Sequence, residues 1–182
     1  MSYLKLPELD KMKGEVREIA ENAVERWGYL PNLVKAYALA PEVIKAEDVW
    51  SKGIMYNGLL ERELKEAIAT VVSSTNKCNY CASSHAHAGT IAGDSKESTL
   101  ACMNLSFSGF DDRKITALEF AQKATADPKS ITKYDIDNLK PYYHSGEIVE
   151  LVAVIQQFMG YNWFVTILGL ELEPENPIRA AF

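Results

Sequence analysis

Cys78, Cys81 and His85 stand together in the run Cys-Asn-Tyr-Cys-Ala-Ser-Ser-His. Two thiols spaced Cys-x-x-Cys can close a disulfide, and a histidine one helical turn past the second can hold or move a proton. The run therefore points to thiol redox chemistry. An ordinary cysteine, with a pKa of about 8.5, is mostly protonated at neutral pH, so something must lower that value or take the proton. If Cys78 opens a helix, the unpaired backbone N–H groups there favour its negative charge, while Cys81 has His85 one turn along its own face.

Two other uses of the same residues compete. A zinc site could recruit Cys78, Cys81, His85 and a fourth ligand, Cys102 or His87, but structural zinc usually takes two ligands from each of two separated segments, and His87 lies off the face that carries His85. The pair could also be inert core packing, an unusual way to fill a stripe otherwise made of Ala and Gly. Covalent haem attachment is excluded, because Ala82 stands where Cys-x-x-Cys-His needs its histidine. Cys102, among Leu100, Ala101, Met103 and Leu105, reads as a small buried hydrophobe. His87 and His144 lack register with a thiol and read as surface or structural residues.

The elements that must position this run are helical. Periodicity of helical type runs almost throughout, with no alternating stretch bounded by hairpin turns, so the expected class is all-α. Helices are expected at about 8–27, 31–40, 41–56, 61–75, 78–92, 95–107, 111–126, 132–142 and 145–168. Pro31 and Pro41 suit first-turn positions, Gly93 suits a left-handed cap, Asp94 with Glu97 resembles a capping box, and Asp127-Pro128 closes a helix. In the fourth helix Leu64, Ala67, Ile68, Val71 and Val72 form an apolar stripe, with Glu66, Ala69, Thr70 and Ser73 on a small, polar opposite face. The fifth helix repeats small residues from Cys78 to Ala92 at helical steps. Two such faces can approach closely, which would bring Glu66 near the thiols. By pattern alone, Glu66 reads as one more solvated glutamate beside Glu61 and Glu63.

The chain has 182 residues, is 47% hydrophobic and carries a formal charge of -6. That is enough for one domain with its own core, and it lacks the basic, aromatic-interleaved surface of a nucleic-acid binder. No linker or repeat divides it; only the tail after Glu173 reads as loosely held. The polar N-terminus lacks an export signal, so the expected location is cytoplasmic. The apolar stretch 148–170 contains Glu150, Gln156, Gln157 and Asn162 and reads as a buried helix rather than a membrane span.

Glu66, Cys78, Cys81 and His85 at their spacing resemble the active-site signature of AhpD-like alkylhydroperoxidases, in the carboxymuconolactone decarboxylase superfamily. The resemblance extends to Tyr29-Leu30-Pro31-Asn32-Leu33 and to Asn162 through Glu173, which are similar to the peroxidase-related branch. It implies a single helical bundle of about eight or nine helices over 1–182, with a core near 30–170, an N-terminal extension over 1–29 and a tail over 174–182. It also implies a homotrimer or hexamer that acts on a hydroperoxide and is recharged by an external dithiol, of thioredoxin or lipoyl type, with no cofactor and no metal. Carried over by position, Cys81 is the peroxidatic thiol, Cys78 the resolving thiol, and Glu66 with His85 the proton relay. The helix-terminus argument alone favours Cys78 as the more acidic thiol instead. Tyr80 stands where the best-known AhpD enzymes have histidine; a phenol is a poor base at neutral pH, so Tyr80 is at most an accessory hydrogen-bond donor. A decarboxylase acting on a lactone carboxylate, and a redox sensor or zinc-stabilised interaction module, are the competing functions.

Overall fold

The computed structural model describes residues 2–182; Met1, the first residue of the expected N-terminal extension, lies outside them. The order is α1 (Gly14–Trp27), α2 (Asn32–Tyr37), α3 (Pro41–Ser51), α4 (Arg62–Thr75), α5 (Asn79–Ala92), α6 (Lys96–Met103), α7 (Asp112–Ala126), α8 (Lys133–Leu139) and α9 (Ser145–Leu168), with no strand among the described residues. The fold is all-α, as expected; single turns at Leu9–Lys11 and Lys52–Tyr56 fill out stretches that periodicity assigns to longer helices, and a third, Pro128–Ser130, lies between α7 and α8.

Helix α4 is the axis. Every residue from Leu64 to Ser74 is buried, because α5, α6, α7 and α9 all pack around it. A helix surrounded in this way must bury its polar residues too, and most of them find partners, the Ser74 hydroxyl being the exception. Lys65 reaches Glu150 at 2.6 Å and the Ile54 carbonyl at 2.7 Å, and Ser73 donates to Asn162 of α9 at 3.1 Å. Close approach of α5 and α6 depends on Gly89, where an added Cβ would lie 2.9 Å from Thr99 Cγ2, while its 3.8 Å from Glu66 Cβ of α4 is ordinary contact.

Helix α9 is long and apolar enough to cross a membrane by length and composition. Here its inner face, including Leu151, Val154, Phe158 and Val165, belongs to the core against α4 and α7, while Val149, Trp163 and Ile167 stay exposed. The burial expected for 148–170 thus holds for one face only. His144 supplies the N-cap of α9, accepting from the backbone of Gly146 and Glu147, which gives it a structural role.

Three local readings differ. Pro31 is the N-cap of α2 rather than a first-turn residue. Ser95, not Asp94, caps α6; Asp94 pairs instead with Lys114 of α7 at 3.1 Å, a tertiary partner that overrides the local motif. The tail after Glu173 is docked, not loose. Ile178 is buried against Ala82 and Ala86, the Ala180 N–H donates to Ser83 Oγ at 2.8 Å, and the Phe182 N–H donates to Asn79 Oδ1 at 3.2 Å.

Candidate active site

The turn from α4 to α5 delivers the thiols. Lys77 takes a left-handed conformation, φ +56°, and the Cys78 N–H donates back to the Ser73 carbonyl at 2.9 Å, closing α4 with the bond pattern usually made at glycine. Cys78 is therefore the N-cap of α5 rather than its first helical residue, and its carbonyl accepts from Ala82 at 2.9 Å. Its sulfur accepts hydrogen bonds from the Cys81 thiol and from the backbone N–H groups of Cys81 and Tyr80, which together hold the Cys78 thiol below its usual range against the opposing effect of burial. Cys81 is pushed the other way, first by giving its hydrogen to Cys78, then by burial and by the charges of Cys78 and Glu173. Of the two thiols, Cys78 is thus the more acidic and Cys81 the donor of the hydrogen bond between them.

Glu66 and His85 meet across the α4–α5 contact. His85 Nδ1 lies 2.6 Å from Glu66 Oε2, and Glu66 is fully buried. The solvated-glutamate reading fails because α4 is enclosed by α5, α6, α7 and α9 and Glu66 faces its neighbours rather than water. The other carboxylate oxygen pairs with Arg62. Burial alone would raise the Glu66 carboxyl, but His85 and Arg62 outweigh it and hold it below the usual carboxylate range. A carboxylate at Nδ1 fixes the ring proton there and leaves Nε2 as the nitrogen able to trade protons. Glu66 thus reaches the histidine rather than the sulfurs themselves.

Cys81 and His85 line one cleft, a cavity of about 130 Å³ walled by Trp27, Tyr29, Tyr37, Tyr56, Phe158 and Tyr161; Cys78 is not part of its lining. The volume is comparable with the apolar cavity of about 150 Å³ that accepts benzene in an engineered protein. His85 is held edge-on by Phe158, with ring centres 4.3 Å apart, and by Trp27 at 6.3 Å. At the cleft's edge Arg62 and Arg26 sit over the Tyr56 ring, at 3.9 and 4.1 Å from its centre.

Tyr80 belongs to a different structure. Its hydroxyl donates to Glu173 Oε1 at 2.8 Å and accepts from the Leu33 N–H at 3.1 Å, and the same Glu173 oxygen accepts from the Asn32 N–H. Burial and the neighbouring Glu173 push the Tyr80 phenol well above its usual value, so it stays neutral and acts as a strut tying α5 to α2 and the tail. Cys102 is buried on α6, its thiol pushed up to about 12 mainly by burial, in keeping with a packing residue. Among the described residues no group of three or more His, Cys, Asp or Glu side chains is arranged to hold a metal ion.

The sequence reading missed Arg62, Glu47, Tyr37, Tyr161 and Glu173. Arg62 alone had a local signal, since it stands one turn before Glu66 on α4. The others come from α2, α3, α9 and the tail, and only the tertiary fold brings them together.

An all-helical bundle with a thiol pair beside a buried acid–histidine couple defines the class of protein. Residues 41–123, from α3 into α7, match the carboxymuconolactone decarboxylase family. A peroxidase-related protein from Silicibacter sp. TM1040 is similar over 96% of this chain and 93% of its own, with 27% identity and a TM-score of 0.88. An AhpD-core peroxidase-related protein from Ralstonia eutropha JMP134 is 20% identical over 96% of this chain and 93% of its own, with a TM-score of 0.87. A debrominase in complex with 2,3,4-tribromopyrrole shares the fold at 22% identity, with a TM-score of 0.83 over 96% of this chain and 95% of its own. No curated protein matches the sequence. The family match over 41–123 and the likeness to peroxidase-related proteins support the AhpD-like, carboxymuconolactone decarboxylase superfamily and a peroxidase-related or decarboxylase-like role.

Proposed function

We propose that the protein is a thiol-dependent hydroperoxide reductase in which Cys81 attacks the peroxide and Cys78 resolves the product. The observation that carries this reading is that the cleft is lined by Cys81 and by a His85 already coupled to Glu66, with Cys78 hydrogen-bonded behind. Access decides the order of the thiols. Cys78 is the more acidic, but a bulky peroxide in the cleft meets Cys81, whose proton must first leave through Cys78 or the His85–Glu66 pair.

The thiolate of Cys81 then takes the outer oxygen of R–O–OH, the O–O bond breaks, and a proton added to the departing oxygen gives ROH and Cys81 sulfenic acid. The Cys78 thiol condenses with that sulfenic acid, releasing water and forming the Cys78–Cys81 disulfide. An external dithiol restores both thiols by exchange and leaves as its own disulfide. A lactone decarboxylation has no use for two thiols, which ranks that activity lower.

One further reading has an observation of its own. The cleft wall is aromatic on several sides, which suits a flat ring, and the same thiol pair can supply the two electrons that replace a ring halogen by hydrogen, with the disulfide and a hydrogen halide as the other products.

Purified, fully reduced protein mixed with tert-butyl hydroperoxide and dihydrolipoamide is expected to consume peroxide. Cys81→Ser abolishes that turnover, and Cys78→Ser stops at a sulfenic acid trapped by dimedone at position 81. Full turnover by Cys81→Ser overturns the proposal; halide release from a halogenated pyrrole with no reaction towards peroxides moves the assignment to the dehalogenase.

A further inference from the structure

The cleft is lined by further acids, Glu47, Asp48 and Glu173, whereas Glu66 stands behind His85. Glu47 comes from α3, and its Oε1 accepts from the Tyr161 hydroxyl. That hydroxyl accepts in turn from Gln157 Nε2 at 2.8 Å, which fixes its proton towards Glu47. The rings of Phe158 and Tyr161, 5.4 Å apart, separate Glu47 from His85. Tyr37 of α2 stands between the two chemistries: its ring lies edge-on to Tyr161 at 6.4 Å, and negative charge on either Glu47 or Cys81 acts on its phenol.

We propose that Glu47 is the general acid of the reaction, delivering the proton that the departing oxygen needs when Cys81 attacks. This rests on the hydroperoxide reading above. The balance is Cys81 thiolate, R–O–OH and Glu47 acid giving Cys81 sulfenic acid, ROH and Glu47 carboxylate. The proton that Cys81 later loses on regeneration restores the acid.

The surroundings of Glu47 keep its proton available. Burial raises its carboxyl to about 7, with Asp48 adding to the rise and the Gln157 side chain opposing it. From α9 it faces Gln157 and Tyr161, from α2 Tyr37, and on its own helix Asp48, which is paired with Lys52 at 2.6 Å. The α1 residues on the same cleft are apolar Ile19 and Ala23, with Arg26 drawn over Tyr56. The cations nearby are engaged elsewhere, Lys52 with Asp48 and Arg26 over the Tyr56 ring, and none of them offsets the effect of burial on Glu47. The two carboxyls are thus pushed apart, Glu66 held low beside Arg62 and His85 and Glu47 raised by burial, which is the separation that an acid and a base require.

A leaving oxygen that is strongly basic needs this proton and a weakly basic one does not. Single-turnover oxidation of Cys81 is therefore measured with tert-butyl hydroperoxide, which releases an alkoxide, and with peracetic acid, which releases acetate. Glu47→Gln is expected to slow the first by about 10²- to 10⁴-fold, and the second by less than about tenfold, with partial recovery in Glu47→Asp. In the wild type, the alkyl hydroperoxide rate falls as pH rises through about 7, where Glu47 loses its proton, and the peracetic acid rate lacks this fall. Equal losses for both oxidants in Glu47→Gln, or identical wild-type profiles, overturn the assignment while leaving the peroxidase reading intact. A wild-type Cys81 that neither oxidant converts to sulfenic acid or disulfide overturns both.

Discussion

Replacing Glu66 by Gln tests whether its charge is the centre of the site. The change keeps size and hydrogen-bonding capacity but removes the anion that Arg62 and His85 share. Breaking a buried ion pair by neutralising one partner costs about 3–5 kcal/mol, because the other charge is stranded. Arg62 retains bonds to the Met55 carbonyl and the Tyr56 hydroxyl, both at 3.1 Å, and a quarter of its side chain is exposed, so the lower end applies. A loss of about 3 kcal/mol corresponds to a fall in Tm of about 6–12 °C for a domain of this size. The pH dependence has a definite sign. Because the folded-state carboxyl lies below its unfolded value of about 4.3, its stabilisation is complete above that value and vanishes as pH falls through the lower folded one. Urea unfolding of wild type and Glu66→Gln should therefore differ fully at neutral pH and converge in acid. In the double variant Arg62→Met with Glu66→Gln, the losses should fall short of the sum of the singles by at least about 1 kcal/mol. A neutral-pH difference under about 1 kcal/mol, or a gap that widens on acidification, refutes the ionised-centre account.

Other parts of the structure give sharp expectations of their own. Tyr80→Phe leaves Glu173 without one buried donor and should cost about 1–3 kcal/mol, accelerate amide exchange over 173–182, and change Cys81 oxidation by less than about tenfold; a large rate loss with an unchanged tail would make Tyr80 a participant in the chemistry instead of a strut. Gly89→Ala drives a methyl against Thr99, at an expected cost of about 1–3 kcal/mol, and adding Thr99→Ala should return part of it; no loss in the single variant would show that α5 and α6 do not meet as tightly as described. Brief alkylation of the native, reduced protein, read by peptide mass mapping, should leave Cys102 unmodified, given its burial and its raised thiol, and labelling there ahead of Cys78 would contradict the assigned environments.

What the sequence discloses here follows from the range over which each constraint acts. The Cys78, Cys81, His85 run is local, one turn of helix carries its register, and the small stripes of α4 and α5 announce that those helices touch. Glu66 becomes legible only when these local facts are combined, because no pattern around it says that an acid between Lys65 and Ala67 has lost all its water. The α4–α5 turn hides itself differently. Its left-handed position is filled by Lys77 where glycine is usual, so the boundary that makes Cys78 a cap, and adds backbone N–H groups to the Cys81 thiol in lowering it, carries no composition signal. Asp94 misleads for the opposite reason: it has a good local motif and a better distant partner in Lys114. Glu47 and Glu173 lie beyond local reasoning altogether. Glu47 is one of several glutamates along the chain, and its place opposite the histidine exists only because α3 and α9 close the far wall of the cleft. Glu173 sits at the start of a polar, proline-rich tail whose composition suggests mobility, yet its carboxylate gathers Tyr80 and Asn32 and adds negative charge near Cys81. The nucleophile of such a site is written in a motif, but the groups that set its protonation are distributed over the fold. Members of the superfamily that keep the motif and differ at positions corresponding to 47 and 173 should therefore differ in the oxidants they accept and in the pH at which they work.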